Sequence, residues 1–269
     1  MMREEQIRRE LGPVETVGRT LICLEETGST NDDAKRLALD GAEDGTVVMA
    51  EYQTRGRGRM DRSFQSPKGK GIYLTVLLRP EVPVERLMTA TAMAGVAVCD
   101  AVEQACGVRP GLKWPNDPVL HGKKLCGILT ELVFDPESGK PCLLLGIGLN
   151  VSQTAADFPP ELAEIAVSLT QELGRPVSRP VLVARLIEAL DQMYTALRSG
   201  ALDGHLAAYR RDCVNLDRTV QLIGPQGRET VEAVGIDEQF GLVVRTGDGA
   251  EKTVRSGEVS VRGMYGYAE

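Results

Sequence analysis

The sequence predicts an α+β protein: a mixed or antiparallel β-sheet packed with helices, followed by a small β domain of SH3-like barrel size. Three observations carry that prediction. Apolar runs of strand length, such as "GIYLTVLLRP" and "PCLLLGIGLNV", are bounded by turn residues. Longer stretches around 83–106 and 179–198 have the apolar content of packed helices. From about residue 216 the chain consists of short alternating strands, "RTVQLIG", "ETVEAVGID", "GLVVRT", "EKTVR" and "EVSVRG", joined by Gly-containing turns. The predicted division is therefore a large domain over 1–215 and a small one over 216–269.

The elements follow in order. Residues 4–11 read as a short helix and "TLICLEE" as a strand. In "TGSTNDDAKRLALDG", Ser29 or Thr30 suits an N-cap, with Asp32 or Asp33 three residues on. Ala34, Leu37 and Ala38 then form an apolar stripe, and Gly41 ends the helix. "TVVMAEYQT" is a strand that runs into a basic loop, and "GIYLTVLLRP" is the strand that leaves it. Pro83 opens a long helix through about Cys106, rich in Ala and Val and so expected to be buried. A short strand ends at "KWPND", a hairpin turns at "HGK", and "KLCGILTELVF" and "PCLLLGIGLNV" form a strand pair across "DPESGK". Helices over 179–198 and 202–212 close the large domain.

Composition narrows the function. The 269 residues are 42% hydrophobic and 26% charged, as in an ordinary globular protein. No apolar stretch reaches the roughly 18 uncharged residues of a membrane helix. The N-terminal "MMREEQIRREL" has no apolar core of a signal peptide, so a cytoplasmic location is expected. The six cysteines form no CxxC pair and read as small apolar residues in a reducing compartment. Two histidines, His121 and His205, are too few for a His-based zinc site or a Ser-His-Asp triad. No metal ligands are assigned. A net charge of −7 argues against nucleic acid as the main partner.

Against that negative background, residues 55–70 hold six cations (Arg55, Arg57, Arg59, Arg62, Lys68, Lys70) and one anion, Asp61. Gly56 and Gly58 allow close backbone approach to a ligand, and the alternating guanidinium forks suit phosphate oxygens. A solvated loop of charge is the plainer alternative. No GxxxxGK[ST] cradle is present. In "KWPND", Pro115 forces the only tryptophan, Trp114, into an extended conformation, ahead of Asn116 and Asp117 at a strand end. Trp114 reads equally well as a core anchor. In "GKKLCGILTEL", Lys124 opens an apolar strand. In "GIGLN", Gly146 and Gly148 weaken a strand unless something flat needs the space, and Asn150 follows as a polar handle.

Together the order "GSTN", "QTRGRGR", "KWPND", "KKLCGIL", "GIGLNV" and the tail "SGEVSVRG" resembles the biotin–protein ligases, over about residues 19–267. About 28 residues precede "STN", too few for the N-terminal winged helix-turn-helix of repressor-type members. The resemblance therefore implies the single-function class. It also implies that biotin reacts with ATP, with Mg2+, to give biotinyl-5′-AMP, and that biotin then passes to a lysine of a biotin carboxyl carrier domain. Lipoate–protein ligase chemistry is the nearest alternative. A nucleic-acid module and a non-catalytic biotin sink are further ones. Monomer and homodimer both remain open.

The same resemblance assigns residues. Ser29, Thr30, Asn31 and Gln53 face the ureido ring of biotin, with Gly56 in the loop and Gly127 and Gly146 leaving room for ring and tail. Arg57 and Arg59 meet the phosphates and lie on the biotin side as well. Lys124 neutralises both the biotin carboxylate and the α-phosphate, and Arg55 helps close the loop. Phe64 stands near adenine, where many members carry tryptophan. Asn150 and Arg262 lie on the nucleotide side. Asp117 receives the proton of the acceptor amine, so Arg57, Lys124 and Asp117 are the catalytic set. Residues 54–70 are expected to be mobile when empty and to fold over the adenylate.

Overall fold

The computed structural model describes residues 2–58, 62–135, 139–224, 227–255, 260–263 and 267. Helix α1 (Glu4–Glu10) has acids in its first turn and arginines in its last, and buries Ile7. Strand β1 (Leu21–Leu24) leads to α2 (Thr30–Leu39). Ser29 stands at the N-cap with extended backbone, but its side chain makes no capping bond. The cap comes from far along the chain: the Thr30 amide donates to Gln53 Oε1 at 2.9 Å. Two strands, β2 (Val47–Ala50) and β3 (Gly71–Leu78), flank the basic loop.

The long helix expected after Pro83 is two helices, α3 (Val84–Leu87) and α4 (Ala90–Cys106). At the break, Thr89 Oγ1 donates to the Arg86 carbonyl at 2.7 Å, a local bond that competes with the helix ladder. Gly107 ends α4 with φ +76°, a left-handed cap that favours glycine. Next come β4 (Gly111–Lys113), β5 (Asp117–Leu120) and the two-residue β6 (Lys123–Lys124), which form a separate three-stranded sheet. Lys124 thus ends β6 rather than opening the following strand. The long pair β7 (Cys126–Phe134) and β8 (Pro141–Asn150) follows.

A 3-10 turn (Ala155–Asp157) and two very short helices, α5 (Pro160–Ala163) and α6 (Leu169–Leu173), lead to α7 (Arg179–Ser199) and α8 (Asp203–Asp212). The tail contains β9 (Arg218–Gly224), β10 (Gly227–Ile236), β11 (Leu242–Arg245), β12 (Glu251–Val254) and β13 (Ser260–Gly263). Their order is β12-β11-β10-β9-β13, with every pairing antiparallel. Among the described residues no helix is long and apolar enough to cross a membrane.

The main sheet runs β1-β2-β3-β8-β7, with β1 and β2 parallel and the rest antiparallel. Side chains alternate between its faces. One face, including Leu74, Val76, Leu145 and Ile147, joins α4 and α7 in the large core. The other face, through Val48, Leu77 and Leu144, buries Ala34 and Ala38 of α2. Following that second face along β8, the side chains change from Leu144 to Gly146, Gly148 and Asn150. Opposite them, β3 places Thr75 beside Gly146 and Tyr73 beside Gly148. β7 adds Gly127 and Glu131, paired with Gly148 and Leu144. The apolar layer under α2 therefore gives way to a polar, glycine-floored cleft.

The tail sheet packs against the hairpin strands. Trp114 is fully buried and its Nε1 donates to the Phe240 carbonyl at 2.9 Å. Phe240 in turn meets the edge of Tyr209, with ring centroids 5.4 Å apart. Of the two readings open for Trp114, the structure gives the core anchor, although the cleft reaches its surface.

Candidate active site

The cleft has a cavity volume of about 210 Å³ and opens to solvent. Its first end is neutral. Thr30 Oγ1 lies 3.1 Å from Gln53 Oε1, and Gln53 Nε2 donates to Ser66 Oγ at 2.8 Å. Thr75, completely buried on β3, donates to Asn31 Oδ1 at 2.6 Å. Asn31 Nδ2 then donates to Glu131 Oε2 at 2.6 Å. Ser29, Thr30 and Asn31 are all nearly inaccessible, held by the start of α2 against the sheet. Four predicted residues, Ser29, Thr30, Asn31 and Gln53, thus come together at one wall.

The sequence reading gives the room over Gly146 and Gly127 to a ligand; in the structure both glycines line the cleft, and side chains of the chain itself also lie close over them. A Cβ on Gly146 would lie 2.2 Å from Asn31 Oδ1. One on Gly148 would lie 2.4 Å from the Phe64 ring, and one on Gly127 3.1 Å from the same ring. The flat group that needs the glycines of β8 is Phe64. It also meets Tyr73 edge-on, with centroids 6.4 Å apart.

The basic loop is a narrow hairpin at its described base. Phe64 N donates to the Gly56 carbonyl at 2.8 Å and Gly58 N to the Arg62 carbonyl at 2.6 Å. Gly56 is glycine because a Cβ there would lie 2.4 Å from the Phe64 carbonyl oxygen; the cleft does not reach it. Arg55 lies against Gly28 outside the cleft. Arg57 does line it, with its guanidinium 2.8 Å from Glu131 and 2.9 Å from Asp32. Arg59 lies outside the described residues.

The second end is charged. Lys124 is clamped through its backbone: its amide donates to Ile165 O at 2.7 Å and its carbonyl accepts from Val167 N at 3.0 Å. Its Nζ donates to Asp117 Oδ1 at 2.6 Å. Asp117 sits opposite Lys113 in the β4–β5 pair, and its other oxygen, Oδ2, accepts from the Tyr267 hydroxyl. Burial alone would raise the Asp117 carboxyl. The charges of Lys124 and Lys113, with hydrogen bonds from Lys124 and Tyr267, overcome it and hold the group below its ordinary value. Burial and then the Asp117 charge push the Tyr267 phenol far up.

Asn150 is engaged in the framework. Its Nδ2 donates to Val167 O at 3.1 Å and its Oδ1 accepts from Gln153 at 2.9 Å. It therefore pins the segment that clamps Lys124, while lining the cleft. Arg262 enters from β13, with its Cζ 4.9 Å from the centre of the Tyr267 ring. Sequence reasoning missed Thr75, Glu131, Lys113 and Tyr267. Thr75 was visible as a small polar residue inside the apolar run "GIYLTVLL". Nothing around Tyr267 marked it.

A glycine-floored cleft with a buried neutral hydrogen-bonding end and a cationic end suits an elongated substrate with a polar head and an anionic tail. Comparison with known proteins agrees. Residues 23–150 match the Biotin/lipoate A/B protein ligase family, and residues 216–262 match the Biotin protein ligase C terminal domain. The chain is 35% identical over 263 residues to a biotin–[acetyl-CoA-carboxylase] ligase of Mycobacterium tuberculosis, covering 95% of this chain and 94% of that protein. It is 33% identical over 251 residues to the bifunctional ligase/repressor BirA of Bacillus subtilis, covering 93% of this chain and 77% of that one. Among solved structures it resembles the biotin protein ligase from Aquifex aeolicus in complex with biotin and ATP. There the TM-score is 0.79 at 30% identity, over 91% of this chain and 99% of that one. The chain belongs to the biotin/lipoate A/B protein ligase family, on its biotin protein ligase branch.

Proposed function

We propose that the chain activates biotin with ATP to biotinyl-5′-AMP and transfers the biotin to a lysine of a biotin carboxyl carrier domain. The observation that carries this reading is the joining, in one cleft, of the Thr30–Asn31–Thr75–Gln53 network to the Lys124–Asp117 pair. Biotin's ureido ring has one carbonyl acceptor and two N–H donors, which neutral amide and hydroxyl groups can satisfy. Lipoate's dithiolane has neither, and would add no hydrogen bond to these oriented groups. That difference, with the biotin ligases among the relatives, favours biotin over lipoate.

In the first step an oxygen of the biotin carboxylate attacks the α-phosphorus of ATP and pyrophosphate leaves. The two substrates repel each other by about 4 kcal/mol per charge pair at 4 Å and an effective dielectric near 20. Lys124, held at the strand end, is placed to neutralise both. Arg57 is assigned to the phosphates, with Arg262 on the nucleotide side. The carboxylates beside Arg57, Asp32 and Glu131, are hard oxygen donors that would help hold magnesium brought in with ATP, which would supply countercharge to the phosphates. Phe64 offers the adenine a stacking face. In the second step the acceptor lysine nitrogen attacks the acyl carbon and AMP leaves. A lysine with pKa near 10.4 starts with a handicap of about 4–5 kcal/mol at pH 7. Asp117 is assigned to hold that amine and take its proton.

Residues 1–215 carry the chemistry in this reading, and the tail from 216 onward reaches the cleft through Val261, Arg262 and Tyr267. The carrier is the biotin domain of a carboxylase. The six free cysteines fit a reducing cytoplasm. Biotin-dependent exchange of labelled pyrophosphate into ATP tests the whole reading. Exchange that runs without biotin, or equally well with lipoate, overturns it.

A further inference from the structure

The Asp117 carboxylate accepts hydrogen bonds from Lys124 and from Tyr267, and of these two Lys124 belongs to the mechanism above. Lys124 takes Oδ1, while the hydroxyl of Tyr267, 150 residues away in sequence, takes Oδ2. The Tyr267 ring is itself held between two cations: Lys113 Nζ lies 4.4 Å and Arg262 Cζ 4.9 Å from its centroid. One tyrosine near the chain end therefore ties together β4, β5 and β13 at the wall of the cleft.

We propose that Tyr267 is a positioning residue for the transfer step, fixing the Asp117 carboxylate so that Oδ1 is the oxygen presented to the acceptor amine. The inference rests on the reading of Asp117 as that amine's proton acceptor. A carboxylate with one anchored oxygen cannot swing about its Cβ–Cγ bond. When Lys124 turns to the biotin carboxylate and α-phosphate, Oδ1 is released and Oδ2 is not. Donation from the phenol also favours the ionised carboxylate, which is the form able to accept a proton. The phenol is well suited to this because its own proton is held far more tightly than Asp117's. The groups facing Asp117 are Lys113 of β4, Lys124 of β6, Cys126 of β7, Tyr209 of α8 and Tyr267. Of these, Tyr267 donates to Oδ2, and Arg62 and Arg262 face the phenol in turn.

The test is Tyr267→Phe in the full chain, which keeps the ring between Lys113 and Arg262 and removes only the hydroxyl. Single-turnover transfer from preformed biotinyl-AMP to a biotin carboxyl carrier domain is measured across pH, beside biotin-dependent pyrophosphate exchange. Transfer should lose about tenfold more than exchange, the size of one charge-assisted hydrogen bond. Its acid limb should move to higher pH, because Asp117 without its donor is easier to protonate. Combined with Asp117→Asn, Tyr267→Phe should add nothing further, since both act through one carboxylate. An unchanged rate and acid limb overturn the proposal. So does faster transfer, which would make the hydroxyl an obstacle to the amine. If Asp117→Asn itself transfers normally, the Asp117 reading has failed. If Asp117→Asn is slow while Tyr267→Phe is normal, only the role of Tyr267 has failed.

Discussion

The neutral end of the cleft and its charged end solve the problem of an empty site in different ways. At the neutral end, Thr30, Asn31, Gln53 and Thr75 bond one another in fixed geometry on α2 and β3. A ligand there must match groups that are already oriented. At the charged end three of the cations lean on partners within the chain: Arg57 on Glu131 and Asp32, Lys124 on Asp117, Arg262 on Tyr267. Unpaired charges in a half-buried cleft are costly, so internal acids stand where substrate anions will be. Binding at one end adds partners to a finished network. At the other it exchanges partners, and the strength of the internal pairs sets how easily the exchange occurs.

Removing a cation breaks the comparison most severely, because nothing else can take its place. Lys124→Ala should lower biotin-dependent pyrophosphate exchange by about 10²–10³, the usual cost of one prepositioned donor. It also leaves Asp117 buried without its main counter-charge. A loss under tenfold would move the activation step away from Lys124. Asp117→Asn separates the two half-reactions: transfer from preformed biotinyl-AMP should fall at least tenfold further than exchange. Equal losses in the two assays would remove Asp117 from the transfer step.

The neutral end is sharpened by Gly146→Ala. The added methyl would lie 2.2 Å from Asn31 Oδ1, and Asn31 cannot withdraw without releasing Thr75 and Glu131. Breaking those bonds should cost about 1–3 kcal/mol, so biotin affinity measured by isothermal titration should fall roughly ten- to hundredfold. ATP affinity should change little. A mutant that loses both equally would show that the two ends are not built independently.

These residues also show where sequence reading reaches its limit. The strands of the main sheet were legible because both faces of "GIYLTVLL" and "PCLLLGIGLN" are buried or covered, which writes long apolar runs. The short helices α5 and α6, of four and five residues, are too brief to show a period. The clustering of Ser29, Thr30, Asn31, Gln53, Lys124 and Asp117 was legible only through the family pattern. Their meeting depends on which strands neighbour which, and composition does not encode that. Gly146 stands out in the sequence as a glycine inside a strand, but its nearest neighbour, Asn31, follows from the β3–β8 register that sets Thr75 beside it. Gln53 capping α2 and Tyr267 reaching Asp117 are long-range contacts with no local signature.

The smallest expected effect tests the idea of exchange most directly. Glu131 Oε2 accepts from both Arg57 and Asn31, so it links the two ends of the cleft. Glu131→Gln keeps an oxygen for the Asn31 amide and removes the charge that holds Arg57. The Arg57–Glu131 pair is partly exposed, at 40% and 32% of the side chains, so its worth is about 0–1 kcal/mol. If Glu131 is only a resting place for Arg57, KM for ATP should fall by up to about fivefold at low ionic strength. The difference should shrink as salt screens the pair, and biotin affinity should stay within about twofold. A rise in the KM for ATP would mean instead that the carboxylate works on the nucleotide side, as it would if it met the magnesium that ATP brings.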